Sequence, residues 1–193
     1  FVYGTAPVFF VRYVAQMIAD SGLQITLWGG KSSLLLGTGY DQVHLVGRVV
    51  SAFADTISVF LLYFVGRRLY NRTVGLLATT MSAVTVALIQ QAHFFTVDSV
   101  ANMFVVVSIL FAVRTMYSRS IVNYLFFGVA LGLCVASRIN LAPLGMLIVL
   151  SQFCRSSGSC WRVGAAARIA LSAVIALVVF RIAQPYAFQG PSF

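Results

Sequence analysis

Glutamate is absent from this 193-residue sequence, and Asp20, Asp41, Asp55 and Asp98 carry all of its side-chain negative charge. Charged residues make up 9% of the chain, against about 25% in a soluble domain. So few charges cannot cover a water-facing surface, which excludes an ordinary soluble globular domain. Lysine is reduced to Lys31, and the cationic excess of +9 is otherwise arginine. Basic clusters interleaved with aromatics are missing too, so no nucleic-acid partner is expected. Cysteine is sparse: Cys134, Cys154 and Cys160 form no CxxC, have no histidine at zinc spacing, and are odd in number. That excludes a complete disulfide framework and leaves them as small buried hydrophobes. A charged leader followed by a cleavage site is not visible in these residues, and the first of them is Phe1 rather than Met. We therefore expect the sequence to be part of a longer chain.

What the sequence has in abundance is apolar residues, 60% of the total, with a mean hydropathy of +0.95. A spanning helix needs about 20 of them in a row. Six stretches qualify or nearly do: 47–66, 73–92, 98–115, 121–138, 140–154 and 164–183. The fold class expected is an all-α, polytopic bundle of transmembrane helices in one domain covering residues 1–193. The fifth stretch is short, and Pro143 near its start suits a first helical turn. Residues 7–20, "PVFFVRYVAQMIAD", would reach only about 21 Å as a helix. Arg12, Gln16 and Asp20 recur at i, i+4 and i+8 there, one polar stripe on an apolar cylinder. This predicts a helix lying in the membrane interface. Residues 21–46 read as an extracytosolic loop, rich in Gly and Ser in its first part, and 184–193 as an extracytosolic tail. "GVALG" sets Gly128 and Gly132 one turn apart with Ala136 following, a small-residue stripe for close helix contact. Internal repeats and interrupted helices are not apparent.

Cations set the orientation. "GRRLYNRT" carries Arg67, Arg68 and Arg72; "RTMYSRS" carries Arg114 and Arg119; "CRSSGSCWRVGAAAR" carries Arg155, Arg162 and Arg168. With six alternating helices all three loops fall on one side, which the positive-inside rule makes cytoplasmic. The protein is then a multi-pass protein of a plasma or inner membrane. Its opposite, extracytosolic end gathers the remaining polar chemistry: Asp41, His44, Arg48, His93, Asp98, Arg138 and Arg181. Ionisable groups at membrane depth are costly, so they pair or line polar cavities. Each arginine alone is equally well read as snorkelling to headgroups. Together, beside His93 and Asp98, they point to a pocket for an anionic head group. Asp55 lies about two turns inside the first span with Ser51 and Ser58 on a similar face, and is expected to face the bundle interior in a packing role. A metal site is weakly supported: His93 and Asp98 at i, i+5 share no helix face, although His44 could add a ligand.

Five pieces in order carry a resemblance: "GR" at Gly47–Arg48, "GRRLY" closing the first span, "QQAHFFTVD" at the next outer turn, "GLCVASRIN" and "QPYAF". With "YGTAPVFFVRY" ahead of them, the chain resembles the membrane core of GT-C glycosyltransferases. It is most similar to the dolichyl-phosphate-mannose protein mannosyltransferase-like group, glycosyltransferase family 39. The resemblance implies an inverting transferase that moves a sugar from a polyprenyl-phosphate carrier to an acceptor on the extracytosolic face. The cofactor-like component is then the lipid-linked sugar itself, with no firm metal requirement. Partners are membrane lipids and other membrane subunits. His93, Asp98, Arg48 and Arg138 are the substrate-binding candidates, with Asp41, His44, Asp55 and Arg181 as further ones. In such enzymes the general base lies in the first luminal loop, so it is expected ahead of Phe1, and these residues alone are expected to be inactive. The family often has Lys where Arg138 stands; Arg keeps the charge and grips phosphate in bidentate fashion.

Two other readings stay open. A non-catalytic membrane subunit would keep the fold and pack against other chains. A transporter of a lipid-linked anion would use polar groups near the midplane, such as Asp55, and would show inverted repeats or broken helices.

Overall fold

A computed structural model describes residues 5–20, 40–93, 96–154 and 163–184. Among these residues the chain is all-helical: α1 (Thr5–Asp20), α2 (Tyr40–Leu69), α3 (Arg72–Ala83), α4 (Val86–His93), α5 (Val97–Tyr117), α6 (Ile121–Ser137), a 3-10 segment (Ile139–Gly145), α7 (Met146–Phe153) and α8 (Val163–Ala183). Among the described residues three helical stretches are long and apolar enough to cross a membrane, His44–Leu69, Val97–Tyr117 and Gly164–Ala183. Ile121–Ser137 and Ile139–Phe153 are apolar but shorter.

Several boundaries differ from those read in the sequence. α2 starts at Tyr40, inside the stretch 21–46 expected as loop. Hydropathy marks where a helix enters apolar surroundings, whereas helical hydrogen bonding runs on through the polar "YDQVH" turn. Residues 21–39 and 185–193 lie outside the described residues. The expected helix 73–92 is divided at Val84–Thr85. Thr79, Thr80 and Thr85 each turn a hydroxyl back onto the carbonyl four residues earlier, at 2.8, 2.9 and 2.8 Å. Such back-bonding bends helices, and β-branched Val84 and Thr85 add χ1 crowding. At the break the Val84 amide reaches Thr80 O and the Thr85 amide Ser82 O. Pro143 sits within the 3-10 segment rather than in the first turn of an α-helix. A proline removes an i→i−4 bond, and the tighter winding persists until Met146. Arg168, counted with the loop cations but inside the expected span 164–183, belongs to α8, where its guanidinium lies 6.0 Å from the Tyr124 ring centre. A long cationic side chain about one and a half turns into a helix can reach the boundary by snorkelling.

The core forms around α6. Tyr124, Phe127 and Leu131 meet Ala112 of α5, Ile148 of α7 and Ala176 of α8. The small-residue stripe does what its spacing predicts. A Cβ on Gly128 would lie 2.5 Å from the Ser172 carbonyl oxygen, and one on Gly132 2.6 Å from that of Ala176. Only hydrogen at these positions lets α6 and α8 approach so closely. α2 and α3 form a hairpin with similar contact, a Cβ on Gly66 falling 2.8 Å from Gly75 Cα. Asn71 caps α3 by accepting from the Val74 amide at 2.8 Å. α1 lays Val11 and Ala15 on Val46 of α2 and leaves Arg12, Gln16 and Asp20 exposed.

A buried polar link ties α5 to α7. Thr115 Oγ1 and Ser151 Oγ are 2.9 Å apart, and Gln152 Nε2 donates to Ser151 Oγ at 3.2 Å. Hydrogen bonds between membrane helices are worth about 0.6 kcal/mol on average and about 1.7 at most. Thr115→Val should therefore cost about 1 kcal/mol of unfolding free energy in mixed micelles. An unchanged midpoint would remove the link from the list of stabilising contacts.

Two long-range bonds define the ends of the bundle. Tyr117 Oη donates to the Arg68 carbonyl at 3.2 Å, so α2 and α5 finish together. At the opposite end Gln184 Nε2 donates to the Ala136 carbonyl at 2.6 Å, joining the last turns of α6 and α8.

Candidate functional site at the α4–α5 end

Asp98 and Arg138 stand 40 residues apart in sequence and form an ion pair, Arg138 Nη2 on Asp98 Oδ1. Each is placed by a helix end. Asp98 is in the first turn of α5, where the helix dipole favours a negative charge. Arg138 is the residue that closes α6, in extended conformation at φ −147°, its amide still bonded to Cys134 O at 2.9 Å. A cation there complements the negative end of α6. The two helices are antiparallel neighbours, so the favoured sign at the start of one lies beside the favoured sign at the end of the other.

The pair is partly wet, with the Asp98 side chain 30% exposed and that of Arg138 49%. Asp98 Oδ1 is buried and meets no aligned hydrogen-bond donor among the described residues, so Arg138 is the charge that answers it. A guanidinium has five N–H donors in a planar fork. One nitrogen on Asp98 leaves the remaining donors available to an oxyanion at this end of the bundle.

The other candidates are spread around this pair. His93 ends α4, is exposed, and has Nδ1 3.1 Å from the Ile89 carbonyl. For that bond the proton sits on Nδ1, which leaves Nε2 of the neutral ring as an acceptor. Arg48 is exposed on α2, and among the described residues no ion pair joins it to Asp98. His44 is half-buried one turn earlier, Arg181 is exposed in the last turn of α8, and both engage other groups. Asp41 falls in the first turn of α2, its side chain outside the described residues. Asp55 is half-buried, lying beside a buried α2 face formed by Ser51, Ala54 and Ser58. Ser58 Oγ donates to the Ala54 carbonyl at 2.8 Å, whereas the buried Ser51 Oγ has no hydrogen-bond partner among the described residues. The structure thus brings Asp98 and Arg138 into contact and leaves His93 and Arg48 without a bond to them among the described residues. Among those residues no group of three or more His, Cys, Asp or Glu side chains gathers.

Gln184 was not singled out by its residue type. It belongs to "QPYAF", one of the stretches carrying the resemblance, and its amide holds the end of α8 against Ala136, two residues before Arg138. Nothing in the residue pattern matches Gln184 to a backbone carbonyl 48 positions away.

An all-helical apolar bundle with ion-paired charges at one end and arginines at the other is an integral membrane protein. Residues 35–184 match the family model described as dolichyl-phosphate-mannose-protein mannosyltransferase. The match takes in more than three quarters of the sequence, and the chain belongs to this family, of membrane glycosyltransferases of the GT-C type. No curated protein and no solved structure matches the chain.

Proposed function

We propose that the chain is the membrane core of an enzyme that moves a mannosyl or related hexosyl group from a polyprenyl-phosphate carrier to an acceptor hydroxyl on the extracytosolic face. The family match over residues 35–184 carries this reading. The Asp98–Arg138 end supplies a place for the chemistry. In the transfer, the acceptor oxygen bonds to the anomeric carbon, and the bond from that carbon to the carrier phosphate oxygen breaks. The electron pair leaves with the phosphate, and the acceptor proton goes to a carboxylate base. Charge therefore builds on the phosphate, and a preplaced guanidinium stabilises it most where water is scarce. Arg138 takes this role. Asp98 orients Arg138 and the incoming acceptor rather than serving as the base, because its buried oxygen already faces Arg138. The arginines at the α2–α3 and α5–α6 turns, Arg67, Arg68, Arg72, Arg114 and Arg119, all lie at the other end, which favours an extracytosolic Asp98 end.

The test uses the full-length protein in membranes with a labelled polyprenyl-phosphate hexose. Label should pass from the lipid to an acceptor in the aqueous phase and should not pass from a nucleotide sugar. Transfer from the nucleotide sugar alone, or from neither donor, would overturn the assignment. The interrupted helices bear on the transporter reading. At Val84–Thr85 the two amides and the Thr85 hydroxyl are bonded to carbonyls of the preceding turn, which favours a bend over a substrate site. It is accounted for by local hydroxyl back-bonding.

A further inference from the structure

At the end of the bundle away from Asp98, a cavity of about 690 Å³ opens between the last turns of α2 and α5. Arg67, Arg68, Arg114 and Tyr117 form its polar part. Leu61, Phe64 and Leu110 line the rest. These apolar residues precede the arginines on their helices by one to two turns, so they lie deeper along the spanning direction by about 5–10 Å. The cavity therefore has a cationic mouth near the membrane boundary and an apolar floor within the hydrocarbon.

Among the described residues no carboxylate neutralises the mouth. Asp55 precedes Arg67 by twelve residues of α2, about 18 Å, and Asp98 precedes Arg114 by sixteen residues of α5, about 24 Å. Among the described residues the one ion pair is that of Arg138 with Asp98. Two of the guanidinium faces are occupied: Arg68 lies 5.3 Å from the Tyr117 ring centre and Arg114 5.7 Å from that of Phe111. Stacking uses the plane and leaves the N–H edges free to donate. Complementing the helix C-termini explains a cation in each last turn. It does not explain why three of them share one cavity with an apolar floor.

We infer that this cavity is a binding site for an anionic glycerophospholipid, its phosphate held by Arg67, Arg68 and Arg114 and the start of an acyl chain lying on Leu61, Phe64 and Leu110. The site is separate from the Asp98–Arg138 end and does not depend on the transfer reaction proposed there. Charge complementarity selects an anionic over a zwitterionic headgroup, and the floor selects a lipid over a soluble phosphate.

Native mass spectrometry of the full-length protein in detergent, titrated with phosphatidylglycerol, phosphatidylcholine or inorganic phosphate, tests the inference. Phosphatidylglycerol should be retained preferentially, and inorganic phosphate should not displace it. A basic residue near an anionic surface contributes about 1 kcal/mol, so each arginine lost should weaken retention by about fivefold. R67Q/R68Q/R114Q should weaken it by about a hundredfold on the same scale, while R119Q, at the same end but outside the cavity, should leave it unchanged. If the triple variant is not monodisperse, R114Q alone reads the fivefold step. Equal retention of both lipids, an equal loss in R119Q, or displacement by inorganic phosphate would each overturn the assignment.

Discussion

Arg138→Ala should lower sugar transfer by the full-length protein about a hundredfold while moving its unfolding midpoint little. The two numbers separate because the same guanidinium would do two things of unequal weight. As a partner to Asp98 it is half-exposed, and such pairs contribute about 0–1 kcal/mol once solvent screening is counted. As a donor to a phosphate gaining charge, its loss removes a charge-assisted hydrogen bond worth about 1.5–3 kcal/mol. Asp98→Asn keeps the shape but not the charge, and should lower transfer less, through a guanidinium no longer held in one orientation. R138K should recover part of the rate, since the charge stays and the planar fork is lost. The exchanged pair D98R/R138D is the sharper control. It remakes the ion pair with each charge at the helix end that disfavours it, at about 0.3–1 kcal/mol per site. It should fold and remain inactive. Full transfer in R138A, or recovery of transfer in the exchanged pair, would reduce the pair to a packing contact.

The meeting of Asp98 and Arg138 could be approached from sequence because membrane topology is so constrained. Counting spans puts residue 98 and residue 138 at the same end of alternating helices, and their charge types suggest pairing. Which other residues come close depends on helix rotation, and that is where reading stops. His93 ends α4 on its own Ile89 carbonyl, and Arg48 sits on an exposed face of α2. Neither outcome is set by spacing alone. The break at Val84–Thr85 also hides from a hydropathy scan, because threonine is apolar enough to span and polar enough to bend. Its signal was present in "TTMSAVTV", a cluster of hydroxyl and β-branched residues inside an otherwise good helix. The arginine-lined cavity has no sequence signal beyond the cation count. Arg67, Arg68 and Arg114 read as loop charges setting orientation, and only the packing of α2 on α5 puts them around one space. Gly128 and Gly132, by contrast, were legible in full, because four-residue spacing of small side chains has one geometric consequence on a helix.

That geometry gives the largest expected effect on folding. Gly132→Leu should force α8 away from α6 and destabilise the fold. A Cβ at 132 already meets the Ala176 carbonyl oxygen at 2.6 Å and Val179 Cβ at 2.8 Å, before any further carbon is added. The carbonyl is backbone and cannot rotate away, so the helices must part. Overpacking a tight core costs about 1–3 kcal/mol per site, and here it also strips contacts from Phe127 and Leu131, which share the core with Ala176. For a chain of this size the loss corresponds to a fall in Tm of roughly 2–12 °C. With Gly128→Leu added, both turns of the contact are blocked and monodisperse protein should no longer be recovered. Gly145→Ala is the contrasting case: its Cβ would touch only Leu131 Cδ2 at 3.5 Å, an ordinary contact, on backbone that alanine adopts freely. It should be neutral or slightly stabilising, since replacing glycine narrows the unfolded ensemble. Fluorescence-detected gel filtration against temperature checks all three variants. A Gly132→Leu protein as stable as Gly145→Ala would mean that α6 and α8 do not pack through this stripe.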